Sequence, residues 1–207
     1  MKQFQHREYS GFCGFDVNSL KDIIHNNDVP GPPEPNPFRP TCVFLLLFNA
    51  EDPHILAIQK TDSEGYPWRN QVAFPGGHLE KKDASPLDGA FRELKEETQI
   101  SRDQVEFIGS LGHYQTINGR DIEAFTGVWD ASGPVRPDPL EIARILNVPL
   151  RALVQSHRVA NFHNRTPSID ELRYPFKDVV IWGATARILH QLIELLYPLL
   201  DSSEFEN

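Results

Sequence analysis

Basic residues are in short supply: 20 Lys and Arg stand against 29 Asp and Glu, for a net charge of −9 over 207 residues. That balance excludes a polynucleotide-binding protein, which needs a basic face. A small phosphorylated ligand stays compatible, because bound cations can bridge two acidic parties. Cysteine is nearly absent. Cys13 and Cys42 are the only two, without metal-ligand spacing, and read as reduced thiols of a cytoplasmic protein. No run approaches the ~20 apolar residues of a membrane span, and the N-terminal MKQFQHREYS has no apolar h-region. Neither membrane insertion nor export is therefore expected. The eight histidines form no HxH or HExxH pattern, and no internal repeat is visible. What remains is a 40% hydrophobic chain whose length suits one domain with decorations around a proper core.

Proline is unevenly spread. It occurs at 30, 32, 33, 35, 37 and 40, in PGPPEPNPFRP, a composition that favours an extended connector. Before it, NSLKDIIHN is a short amphipathic helix candidate that Asn18 or Ser19 could cap. These features divide the chain into an extension with its linker (1–40), a main domain (41–200) and a tail (201–207). From Thr41 the pattern turns to strands. TCVFLLLFN reads as a strand buried on both faces, HILAIQK as its antiparallel neighbour after the turn signal EDP, and QVAF as an approach to a glycine turn. VEFIGSLGHY and IEAFTGVWD are two further strands, VPLRALVQSH a strand edge entering a helix, and LRYPF with KDVVIWG a late hairpin. The closing helix ATARILHQLIELLYPLL carries an apolar stripe of Ile188, Leu189, Leu192, Leu195 and Leu196. Strands alternating with helices predict a mixed sheet covered on both sides, of the α/β class.

The most informative segment is FPGGHLEKKDASPLDGAFRELKEETQI, from Phe74 to Ile100. A double-glycine turn leads through an acidic loop into a helix predicted over Pro86–Thr98, with Ser85 as N-cap and Pro86 at the first helical position. Glu93 and Glu97 are four residues apart and Glu96 lies three beyond Glu93, so three carboxylates crowd one side of a turn. Like charges at that spacing destabilise the helix unless a cation sits between them, and changing one to glutamine is expected to relieve the repulsion. An isolated ExxEE is ordinarily a solvated face. Here the fixed distance to Gly76–Gly77, and Arg92 directly before Glu93, point instead to a site for a hard divalent ion such as Mg²⁺ or Mn²⁺.

This segment resembles the Nudix box: a glycine, five residues, a glutamate, seven residues, then REUxEExGU with U aliphatic. Gly77 is followed by HLEKK, Asp83, ASPLDGAF and then RELKEETQI from Arg92 to Ile100. Asp83 stands for the first glutamate, the spacer before Arg92 is one residue longer, and Gln99 replaces the usual glycine. The first two departures, with QVAFPGG, NVPL at 147–150 and IWGATARIL at 181–189, resemble the coenzyme A pyrophosphatase branch of that superfamily. The branch's LLTxR and LRxHxG elements are missing; ILAIQK and TDSEGYPWRN stand there instead.

The resemblance implies an α/β/α sandwich and a metal-dependent hydrolase that uses Mg²⁺ or Mn²⁺ to cleave a small-molecule diphosphate, with coenzyme A or acyl-coenzyme A favoured. ADP-ribose, nucleotide sugars and dinucleoside polyphosphates are the alternative substrates, and a non-catalytic ligand-binding module is the alternative class. It assigns Glu93, Glu96, Glu97 and the Gly76 carbonyl as metal ligands. Glu93 or Glu141, the latter in PDPLEIARILNVPL, is the candidate base, with an extra metal ligand as the alternative role of Glu141. Arg92 is expected to act at the catalytic site by pairing with Asp83 rather than by touching substrate. Lys60, Arg69 and Gly77 are the substrate-binding candidates, and a homodimer is compatible with the pattern.

Overall fold

The apolar run from Thr41 forms β1 (Arg39–Phe48), the central strand of a seven-stranded sheet in the computed structural model, which describes residues 17–49, 52–63 and 68–199. Cys13, the start of the extension and the 201–207 tail lie outside those residues. Along one edge β1 pairs in parallel with β6 (Arg120–Trp129), which pairs antiparallel with β5 (Val105–Gln115). Along the other edge lies β2 (His54–Lys60), antiparallel to β1 and to β7 (Ile142–Pro149). The sheet is mixed, as the pattern predicts.

Alternation along β1 builds the two layers, because successive side chains point to opposite faces. Val43, Leu45 and Leu47 face a cluster with α3 (Leu150–Val159) and α4 (Gly183–Leu196). Cys42, Phe44 and Leu46 face Ala90, Phe91 and Leu94 of α2 (Pro86–Thr98). Burying one large apolar side chain stabilises by about 1.5–3 kcal/mol, and β1 does so on both faces. This is the expected α/β/α sandwich. The five stripe residues of α4 are all buried, and a late hairpin forms from β8 (Tyr174–Phe176) and β9 (Val179–Ile181). Among the described residues no helix is long and apolar enough to cross a membrane.

The extension enters the same core. Helix α1 (Val17–Asn26) buries Leu20 and Ile24 in the α4-side cluster. Asn18 and Ser19 fall inside its first turn, so neither caps it. The proline-rich connector then runs without regular structure along the sheet: the Pro30 carbonyl accepts the His113 N–H at 2.7 Å, and the Asn36 amide donates to Asp121 at 2.8 Å.

Two very short strands place the two glycines. β1 and β2 pair only over Leu46–Phe48 and His54–Leu56, then diverge. Into the wedge go β3 (Val72–Ala73), paired with β2, and β4 (Gly76–His78), paired with β1. The turn between them is Phe74–Pro75, so the two glycines lie in β4 itself rather than in a turn, and β4 carries them under α2.

Helix α2 begins and ends where the sequence predicts. The Ser85 hydroxyl accepts the Asp88 N–H at 3.1 Å, and Pro86 occupies the first turn. At the other end Gln99 takes the left-handed conformation, φ 64°, while its N–H bonds the Lys95 carbonyl at 2.9 Å. This is where a glycine would carry no steric cost. Gln99→Gly should therefore stabilise the protein by up to about 1 kcal/mol, read as a higher urea midpoint with unchanged slope. A lower midpoint would mean that the glutamine side chain contributes more than its backbone strain costs.

Candidate active site

Close approach to the Glu93 carboxylate on one side and to the backbone of β1 on the other explains the two glycines. A β-carbon on Gly77 would overlap the Glu93 carboxylate, and one on Gly76 would overlap the Cys42 carbonyl of the neighbouring strand. With neither present, the Gly76 N–H donates to Glu97 Oε2 at 2.9 Å. A third glycine lets the acidic loop close on the helix. A β-carbon on Gly89 would come within 2.7 Å of Leu79 and 3.0 Å of Asp83.

The cations that the helix needs are present. Arg92 fits its fork on Asp83, Nε to Oδ1 and Nη2 to Oδ2 both at 3.0 Å, and Nη2 also donates to the His78 carbonyl at 2.9 Å. Its Nη1 bridges Glu93 and Glu96, 2.9 Å from each. Lys60 supplies the second cation: its ammonium is buried against Glu97 Oε1 and lies 3.7 Å from Glu141 Oε2. Glu97 is 3% exposed, and burial pushes its carboxyl above the usual range although Lys60 and the Gly76 N–H pull it back. Burial also raises the Glu93 carboxyl, against Arg92. The Arg92 fork acts oppositely on Asp83, holding it down at about 2.

Lys60, Gly76, Gly77, Glu93 and Glu141 line a single cavity of about 520 Å³. Glu97 stands behind them, reaching the wall through Lys60 and Gly76. Glu96 is 54% exposed on its outer side. Arg69 is not brought to the cavity; its side chain is 61% exposed and its Nε lies 3.9 Å from Asp62 Oδ1. The cavity cation that the sequence reading missed is Arg120. Its guanidinium lies 4.1 Å from the Trp68 ring centre and against the His78 imidazole, closest to Nε2. Burial and this neighbour keep the His78 imidazole below its usual range, leaving it as an acceptor. No motif marks Arg120: it opens β6 after a tight turn, and only the parallel pairing with β1 carries it to the box. Trp182, Ile117 and Ile169, from three separate segments and 45%, 93% and 47% exposed, give the cavity an apolar rim.

Hard carboxylate and carbonyl oxygens around two glycines, already drawing two cationic groups, fit a small divalent ion better than soft metals. Comparison with known proteins agrees with the chemistry. The NUDIX domain family model matches residues 38–175. An uncharacterized Nudix hydrolase, NudL, of Photorhabdus laumondii is 28% identical over 182 residues, spanning 85% of this chain and 97% of that protein. The NudL of Salmonella paratyphi B is 32% identical over 124 residues, 59% of this chain and 65% of its own. In fold the chain resembles DR0079 of Deinococcus radiodurans, with a TM-score of 0.51 at 14% identity, covering 74% of this chain and 82% of that one. The chain belongs to the NUDIX domain family and is a Nudix hydrolase, an enzyme acting on nucleoside diphosphate derivatives.

Proposed function

We propose that this enzyme is a diphosphatase of coenzyme A or acyl-coenzyme A, with residues 41–200 as its catalytic unit and the 1–40 extension attached through α1. The observation that carries the substrate is the make-up of the cavity. A carboxylate wall, an arginine stacked on tryptophan and an apolar rim share one 520 Å³ space. A diphosphate with a phosphorylated adenosine at one end and a long uncharged arm at the other would use all three. The sugar end of ADP-ribose or of a nucleotide sugar has less apolar surface to set against the Trp182, Ile117 and Ile169 rim, whereas the second base of a dinucleoside polyphosphate could stack on Trp182.

In this reading Glu93, Glu96, Glu97 and the Gly76 carbonyl hold Mg²⁺ or Mn²⁺, which neutralises the diphosphate and lowers the pKa of a bound water. Arg92 positions Glu93 and Glu96 from the side, and its grip on Asp83 and the His78 carbonyl fixes the loop that follows the two glycines. Glu141 is 56% exposed at the cavity, with Lys60 at 3.7 Å as its charged neighbour. That leaves it freer than Glu93, which Arg92 engages, to accept the proton of the attacking water. Gly77 lets the substrate phosphates approach the backbone. Lys60 acts on Glu97 and Glu141 rather than as a free phosphate ligand.

Purified protein with Mg²⁺ or Mn²⁺, offered a panel of diphosphates and read by mass, tests the reading. Coenzyme A should give 3′,5′-ADP and 4′-phosphopantetheine. Cleavage of ADP-ribose without coenzyme A would overturn the substrate and leave the box chemistry standing. A second measurement concerns the cation. Arg120→Ala should raise KM for coenzyme A over that for dephospho-coenzyme A by roughly tenfold to a hundredfold, the worth of a charge-assisted hydrogen bond of about 1.5–3 kcal/mol. Arg69→Ala should not discriminate. Equal effects of Arg120→Ala on both substrates would remove it from recognition of the 3′-phosphate.

A further inference from the structure

Away from the cavity, α3, the segment after it and α4 bring three histidines and a glutamate together. His190 and Glu194 are four residues apart on α4 and so share a face. His157, near the end of α3, is fully buried against them, with its Nε2 2.7 Å from Glu194 Oε1. His163 Nδ1 approaches the same oxygen at 3.1 Å. One ligand atom from each of His157, His190 and Glu194 falls within 4.8 Å of the others. None of these residues lines the catalytic cavity.

Two features separate this cluster from an ordinary buried hydrogen-bond network. The first is His190 Nε2, a buried ring nitrogen with no hydrogen-bond partner. Leaving such an atom unpaired is costly, and native proteins rarely do so without a reason. The His190 ring lies beside that of His157, ring centres 5.0 Å apart. The second feature is the outer support of His157 and Glu194. Tyr174 Oη is 2.9 Å from His157 Nδ1, and the Asn164 N–H donates to Glu194 Oε2 at 3.0 Å. Metal-binding imidazoles and carboxylates are held by outer partners of this kind.

We propose that His157 Nε2, His190 Nε2 and Glu194 form a Zn²⁺ site, distinct from the carboxylate site of the Nudix box. Two neutral imidazoles and one carboxylate suit a borderline ion such as Zn²⁺, whereas Mg²⁺ prefers the all-oxygen box. Ligands at about 2.0–2.1 Å around a tetrahedral ion stand roughly 3.3–3.5 Å apart. His157 Nε2 and Glu194 Oε1, now 2.7 Å apart, therefore have to part slightly. The cation replaces the proton that those two share, and His157 then carries its proton on Nδ1, towards Tyr174. An ion here would pin the end of α3 to the second half of α4, whose first turns line the catalytic cavity through Gly183, Ala184 and Thr185.

The test is Zn²⁺ binding by the full chain in excess Mg²⁺, followed by calorimetry and by thermal unfolding. We expect one Zn²⁺ equivalent that raises Tm and persists in Glu97→Gln, whose defect lies in the box. His190→Ala and Glu194→Gln should weaken it by about a hundredfold or more, at least the effect of losing an outer partner of a metal ligand. Circular dichroism of the metal-free variants reports whether each still folds, and Glu194→Gln carries the comparison if His190→Ala does not. No Zn²⁺ binding under excess Mg²⁺, binding abolished by Glu97→Gln, or wild-type affinity in the folded cluster variants would each overturn the site.

Discussion

Glu97→Gln should lower turnover about a hundredfold to a thousandfold with Mg²⁺ or Mn²⁺, the usual effect of removing a principal charge-stabilising group. The substitution keeps the length of the side chain and its helix propensity. It removes a charge that two partners use: Oε1 faces the Lys60 ammonium, and Oε2 accepts the Gly76 N–H at 2.9 Å. An amide cannot serve both. If its oxygen stays with Gly76, its NH₂ confronts the ammonium; if it flips, two donors meet at Gly76. The metal-free variant should accordingly be less stable, by about 1–3 kcal/mol for a buried group left unsatisfied. Glu141, 3.7 Å from Lys60, keeps the loss below that of an isolated buried charge. This reverses the expectation from sequence, where removing one of three crowded glutamates relieves repulsion. The repulsion is already answered, by Lys60 from β2 and by Arg92 from within the helix. Turnover near wild type would sink Glu97 as a metal ligand, and an unchanged Tm without metal would sink its pairing with Lys60.

That reversal marks the boundary of what the chain discloses in one dimension. Helix α2 was legible to the residue because its signals are local: Ser85 and Pro86 start it, and the carboxylate spacing is a property of one helix. β1 was legible because a strand buried on both faces needs an unbroken apolar run. The two strands that position the glycines were not, since Val72–Ala73 and Gly76–His78 are too short to show a period. They exist because β1 and β2 part. β7 begins at Ile142, well before the VPL edge, and its EIARILN stretch has no clean alternation. The same limit applies to the candidate site. Lys60 and Arg69 flank one loop and look equivalent as charges, yet the strand turns one inward to Glu97 and leaves the other beside Asp62. Arg120, and the His157 and His163 that meet Glu194, reach their neighbours only through packing, so no spacing announces them.

Arg92→Ala should cost activity about tenfold to a hundredfold, the range for an outer partner that orients metal ligands, together with stability and apparent Mg²⁺ affinity. The damage should appear in kcat and in the metal requirement more than in KM, because Arg92 is proposed to hold Glu93, Glu96 and the loop and not the substrate. Arg92→Lys should rescue little, since a single ammonium cannot reproduce the parallel 3.0 Å bonds to Asp83 while also reaching the glutamates. Asp83→Ala should reproduce part of the loss. The two side chains are 13% and 5% exposed, so water does not readily replace either partner. In a double-mutant cycle the combined variant should lose little more than Arg92→Ala alone, because contacting residues share one interaction energy. The pH response follows from the direction of the shift. Asp83 is depressed from near 3.9 in an unfolded chain to about 2, so its contribution is complete above about pH 4 and is lost as pH falls through about 2. Asp83→Ala should therefore narrow its stability difference from the wild type on acidification below pH 4, with no change in that difference between pH 5 and 7. Strictly additive losses in the cycle, or a stability difference that does not depend on acid, would show that the fork between Arg92 and Asp83 does not hold the loop to the helix.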